Sequence, residues 1–250
     1  MKRRLGWILA LGAGLTTITV TSSAEAKGEP RRWGGFGHGF GGIVAGDLSG
    51  SGSALSDDAA LGSGGGPIVL GGMVGGGGRM LLGRRLMLGG KGYALITAPA
   101  VGRHGSARLL GGGGGLDVGV AVYNDRNWLV YPYLGVQGFG VGLELRNDAD
   151  ITRRVGDVSL APGQSRGLSA GFAMLEAGAG AQRLLFGDGH RGLMVGLELG
   201  FLYGITGDRW QLDDADVTGL GTPSLTGGYL RLTLGGGGFM DGQRRRKRGR

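Results

Sequence analysis

The sequence predicts an all-β fold, an up-and-down antiparallel transmembrane β-barrel of about eight strands, and three observations predict it. After Trp33, large apolar residues recur at every second position, the period of a strand with one apolar face. The stretches that carry this alternation are mostly longer than the ~9–11 residues a tilted strand needs to cross a bilayer, and well beyond the ~5–6 of soluble sheets. The connections between them alternate between short and long, with the long ones falling at one end.

Taken in chain order, residues 1–26 read as a secretory signal peptide. Lys2, Arg3 and Arg4 form a basic start, Leu5–Val20 an apolar core, and Ala24-Glu25-Ala26 a small-residue cleavage site. The core is short for a membrane span, and no later apolar run is long enough for a helical one. Residues 27–33 read as a linker, 34–240 as the barrel and 241–250 as a basic tail. The chain has no cysteine, which excludes disulfides and thiolate metal sites and suits an exported protein that folds without redox help.

The net charge of +8 is unevenly distributed. The signal peptide holds two of those charges, since Lys2, Arg3 and Arg4 face only Glu25, and the last ten residues hold a further five. The body is therefore about +1, which argues against a nucleic-acid-binding face. Gly accounts for 62 of 250 residues, yet there is no G-X-Y period and hydrophobic residues make up 41%. Neither collagen nor a flexible linker fits that combination.

The predicted strands are 34–46, 66–80, 85–98, 105–122, 127–146, 167–186, 191–206 and 227–240. The first and second are joined by Asp47–Gly65, the fifth and sixth by Asn147–Arg166, the seventh and eighth by Gly207–Thr226. The opposite end has only Gly83-Arg84, Asn124-Asp125-Arg126 and Gly187–His190; the link Pro99–His104 is intermediate. In the seventh strand Leu193, Val195, Leu197, Leu199, Phe201 and Tyr203 should face lipid, with Gly196, Glu198 and Gly200 inside. By the same rule Phe139, Val141, Leu143 and Leu145 of the fifth strand face out, and Gly138, Gly140, Gly142 and Glu144 face in. Leu116, Val118, Val120 and Val122 face out opposite Asp117, Gly119 and Ala121; Leu230, Leu232 and Leu234 face out opposite Arg231 and Thr233. Trp128, Tyr131 and Tyr133 at one rim, and Tyr203 and Tyr229 near the other, read as interfacial aromatic belts.

This pattern resembles the small eight-stranded outer-membrane barrels of the OmpA/OmpX type, over roughly Gly34–Met240 and by topology alone. The resemblance implies a barrel exported to and inserted in the outer membrane, often with a polar, plugged interior. Many such barrels end on an aromatic residue, whereas here Phe239 is followed by Met240 and the basic tail.

The expected site is the barrel lumen. Lys91, Asp117, Glu144, Glu176, Glu198 and Arg231 fall one per strand on the third to eighth strands. A charge facing lipid near the midplane costs roughly 2–4 kcal/mol, so these should point inward and pair. They would form a salt-bridged plug or the lining of a narrow ion path, and eight strands leave little room for the latter. Acid clusters at Asp57-Asp58, Asp148/Asp150 and Asp213-Asp214/Asp216 match no calcium loop and read as solvated. His104 and Ser106 sit close in sequence, but no GxSxG elbow accompanies them; His38 and His190 have no metal spacing, and Gly37–Gly42 matches GxGxxG by glycine content alone. No catalytic residue, metal or cofactor is expected. The partners expected are outer-membrane lipid and lipopolysaccharide, with cell-wall polymer or anionic headgroups touching the tail; the chain should be a monomer with a structural or surface-interaction role. The alternatives are a narrow porin-like channel and a soluble lipocalin-like periplasmic barrel with apolar residues inside.

Overall fold

The computed structural model describes residues 33–49, 68–98, 100–101, 105–125, 127–155, 157–187 and 191–240. The expected signal peptide, the basic tail, Asp57-Asp58, His104 and His190 lie outside the described residues. Eight long strands make the barrel: β1 (Trp33–Ser49), β2 (Ile68–Leu82), β3 (Leu86–Thr97), β4 (Gly105–Val120), β5 (Trp128–Asn147), β6 (Ser165–Gly187), β7 (Arg191–Gly207) and β8 (Ser224–Met240). Each pairs antiparallel with its sequence neighbours, and β8 closes on β1 from Trp33↔Met240 to Ser49↔Ser224. Closure matters physically because hydrocarbon offers no partner to an unpaired sheet edge.

The register fixes the barrel's shape. Stepping across the ladder from Gly34 passes Leu81, Met87, Gly119, Tyr133, Gly178, Gly200 and Tyr229, and returns to β1 at Val44. The stagger is therefore ten residues over eight strands, which corresponds to a strand tilt of about 40°. Both described termini, the turn at 83–85 and residues 121–125 lie at one end. The connections 148–164 and 208–223 lie at the other and carry two small hairpins, Arg153–Val155 with Val158–Leu160 and Gln211–Leu212 with Ala215–Asp216. Asp213 and Asp214 take positive φ at the tip of the second hairpin, a two-residue turn with both central residues left-handed, a conformation Asp tolerates. These carboxylates therefore stand where the turn needs them.

The outer wall is apolar between the two ends. Leu70, Leu116, Leu134, Leu199 and Leu232 are all more than half exposed, and the outward charges sit near the rims. The seventh-strand reading holds: Leu193, Leu197, Leu199, Phe201 and Tyr203 are exposed and Glu198 and Leu202 are buried.

The fifth-strand reading is inverted. Phe139, Val141, Leu143 and Leu145 are buried inside, while Gly138, Gly140 and Glu144 face out and Gly142 shares their parity. Alternation runs unbroken along β5, so residues of the same parity as the exposed Leu134 and Val136 must all face out. Bulk changes parity between Val136 and Phe139, because the inner wall above that point is apolar and the outer wall is glycine. Tyr131, Tyr133 and Tyr229 are likewise buried inside and are not belt residues; Trp128 and Tyr203 are exposed.

Candidate functional site: a buried ionic layer between two apolar layers

Midway along the barrel the inner wall becomes charged. Arg79 on β2, Lys91 on β3, Asp117 on β4, Glu176 on β6, Glu198 on β7 and Arg231 on β8 meet across the axis, each side chain at most 3% exposed. The Arg79 guanidinium donates to Asp117 through Nε at 2.9 Å and Nη2 at 3.3 Å, and pairs with Glu198. Lys91 lies 3.3 Å from Asp117 and pairs with Glu176. Arg231 Nη2 reaches Glu176 at 2.7 Å and Glu198 at 3.3 Å. Each carboxylate thus answers two cations, and three positive charges balance three negative ones.

Tyrosines from β5 and β8 knit this layer. Tyr131 donates to Glu198 at 2.8 Å and accepts from Arg79 at 2.8 Å. Tyr133 accepts from Arg231 at 2.8 Å and lies 2.6 Å from the Tyr229 hydroxyl, which donates to Glu176. Gln137 donates to Glu176 and accepts from Tyr93 at 2.6 Å. The rings also face the cations: Arg231 stands 4.2 Å from the Tyr229 ring centre, Arg79 4.6 Å and Lys91 4.8 Å from that of Tyr133. Burying six charges is tolerable only with such pairing, since each ion loses several kcal/mol of hydration; Arg231 Nε is a buried donor of the layer left without a hydrogen bond.

Apolar layers close the ionic layer on both sides. Toward the short turns lie Phe36, Leu81, Met87, Leu129, Leu184, Met194 and Phe239. Toward the long connections a larger cluster joins the inward faces of all eight strands, among them Phe40, Met73, Leu95, Phe139, Phe172 and Leu202, to Val155, Val158, Leu160, Trp210 and Val217 from the connections themselves. Those connections are tied down by hydrogen bonds. Asn147 Nδ2 donates to the carbonyls of Ile151 and Leu160 at 2.9 Å each, Asp157 N–H donates to Thr218 O at 3.2 Å, and Thr218 Oγ1 donates to Asp157 at 3.0 Å.

Of the six charges singled out in the sequence, the structure brings five together: Lys91, Asp117, Glu176, Glu198 and Arg231. Glu144 is not among them; it projects from the outer face of β5 near the long-connection rim, next to Arg108 of β4 in register. Sequence reasoning missed Arg79, which contacts two of the three acids. Its signal was parity with Met73 and Leu81, both buried, but glycines 75–78 hid the phase. Tyr131, Tyr133 and Tyr229, expected at the rims, belong to this layer. Among the described residues no group of His, Asp and Glu could hold a metal ion.

An eight-stranded up-and-down barrel with an apolar outer wall and an ionic core defines a fold class, the small closed antiparallel β-barrels. No protein-family model matches the sequence, and comparison with curated proteins found no match. Among solved structures the chain is similar to Ail, the attachment invasion locus protein of Yersinia pestis, with a TM-score of 0.38 at 11% identity over 84% of this chain and 98% of that one. A second Ail structure, in complex with the heparin analogue sucrose octasulfate, gives 0.34 at 12% identity over 82% and 97%. The outer membrane protease OmpT from Escherichia coli gives 0.36 at 9% identity over 84% and 97%. These likenesses concern the fold alone.

Proposed function

We propose that this protein is a closed outer-membrane barrel that serves as a rigid anchor, with its long connections 148–164 and 208–223 as surface-interaction elements and outer-leaflet lipopolysaccharide as their immediate neighbour. The observation that carries this reading is the layered interior. An ion entering from either end meets an apolar layer before it reaches a charge, and every charge it would meet is already paired. The ionic layer joins seven strands and acts as a staple, which supports a plug over a porin-like path. The outer wall supports membrane insertion over a soluble lipocalin-like barrel. Left in water, each exposed Leu or Phe would forgo about 2 kcal/mol of burial, and the outer wall carries many of them.

Two measurements test the reading. Unboiled protein from the outer-membrane fraction should run faster on a denaturing gel than boiled protein, as a detergent-resistant barrel does. Wild-type protein in planar bilayers should give a closed trace. Release of the protein by osmotic shock with no heat-sensitive band would overturn the membrane reading; stepwise conductance that changes in Glu198→Ala and Arg231→Ala would overturn the plug.

A further inference from the structure

The exposed charges divide unevenly between the two ends. At the short-turn end Arg84, Arg85, Arg183 and Arg191 are exposed. The single described carboxylate there, Asp125, is engaged in its own turn: it accepts the backbone N–H of Asn127 at 2.8 Å and of Trp128 at 2.6 Å, and the Tyr123 hydroxyl at 2.7 Å. At the long-connection end acids outnumber arginines nine to six among the described residues, and two of those arginines, Arg146 and Arg209, pair with Asp148 and Asp216.

The short-turn arginines also have apolar company. Arg183 lies 5.5 Å from the ring of Trp128, with which it pairs in register, and Phe186 three residues on is 70% exposed. On the opposite side of the barrel, Arg84 and Arg85 run into the exposed Leu86, and Trp33, 55% exposed, opens the neighbouring strand β1. Two sectors therefore each combine guanidinium groups with an exposed aromatic ring at the level where the apolar wall ends.

We propose that this rim is a binding surface for anionic phospholipid headgroups. The guanidinium groups take the phosphates, and Trp33, Trp128 and Phe186 lie at the boundary between headgroups and acyl chains. A soluble polyanion would answer the arginines but leave those rings in water; a phospholipid covers both. The proposal rests on the membrane reading above.

The test reconstitutes the full chain in vesicles of phosphatidylcholine and phosphatidylglycerol at three to one, with bromine on the acyl chains of one lipid or the other, and reads tryptophan quenching. Brominated phosphatidylglycerol should quench as if enriched at least about threefold over its share of the bilayer, since each arginine near an anionic surface adds to the attraction. Joint replacement Arg84→Gln, Arg85→Gln, Arg183→Gln and Arg191→Gln should abolish the enrichment while the heat-sensitive gel band persists. Quenching in simple proportion to composition would overturn the proposal alone. So would enrichment that survives the four replacements, which would assign the preference to the basic C-terminal segment. Protein that neither floats with the vesicles nor shows the gel band would overturn the membrane reading as well.

Discussion

Gly115 and Gly138 lie almost opposite each other on β4 and β5, one facing the lumen and the other facing out. A Cβ built on Gly115 would stand 2.1 Å from the Val136 carbonyl oxygen and 2.8 Å from Gln137, whereas one on Gly138 would meet nothing within 4 Å. The contrast recurs on β1, where Gly42 faces the Leu230 carbonyl at 2.2 Å and Arg231 at 2.9 Å, while neighbouring Gly41 has open space. Neither Gly115 nor Gly138 has a positive φ, so backbone conformation does not separate them. Position on the wall does. The inner wall of a narrow, strongly coiled barrel is concave and crowds its side-chain positions, and the ionic layer fills it with arginine, tyrosine and glutamate. Glycine on that wall makes room; glycine on the convex wall makes none and gives up strand propensity.

The largest expected effect comes from filling the inner wall. Gly115→Val drives methyl groups into the β5 backbone and onto Gln137, the residue that holds Glu176. The heat-sensitive gel band should disappear; a wild-type band would show that the inner wall has slack. Next comes Arg79→Met, which leaves Asp117 with Lys91 alone and Glu198 with Arg231 alone. Stranding buried acids costs about 3–5 kcal/mol, read as a lower urea midpoint for loss of the folded band. Replacing Glu144, which stands outside the layer, by Gln should leave that midpoint unchanged within error.

The same two walls explain what the sequence made legible. Strand number, closure and the alternation of connection length follow from period-two patterning and turn residues, which are local, and the structure repeats them. The phase of each strand is a different matter. It was readable on β7 and β8, where the inward residues are Glu198 and Arg231 and the outward ones Leu199 and Leu232. It failed on the upper half of β5, because bulk there marks the inner wall, and it failed at Arg79 because four glycines carry no bulk at all. Pairing within the ionic layer depends on contacts between strands up to 119 residues apart, which no local pattern encodes. Continuity of parity from Leu134 would have corrected β5 without any structure.

A smaller effect is expected at the connections. Asp157 is held below the ordinary carboxylate range by the backbone N–H of Thr218 and by its hydroxyl. A depressed carboxylate stabilises its contact above the unfolded value and loses that contribution as pH falls through the folded one. The tie between 148–164 and 208–223 should therefore be intact at neutral pH and loosen only in strong acid, while Asp157→Asn weakens it at every pH. Amide exchange at Asp157, whose N–H is bonded to Thr218 O, reports the change; protection independent of pH would assign the tie to backbone pairing alone.

The smallest effect is the one that separates the two walls most cleanly. Gly138→Ala and Gly41→Ala add a methyl group to open space on the convex face and remove the conformational freedom of glycine from the unfolded chain. Each should raise the urea midpoint slightly, by the equivalent of about 0.5–1 kcal/mol. Gly42→Ala, one residue from the second site, places the same methyl group against a carbonyl oxygen and the Arg231 stem and should lower it. If all three variants moved together, glycine content would be a matter of strand flexibility in general and the distinction between walls would fail. If they split, the inner glycines are as much a part of the ionic layer as the arginines they make room for.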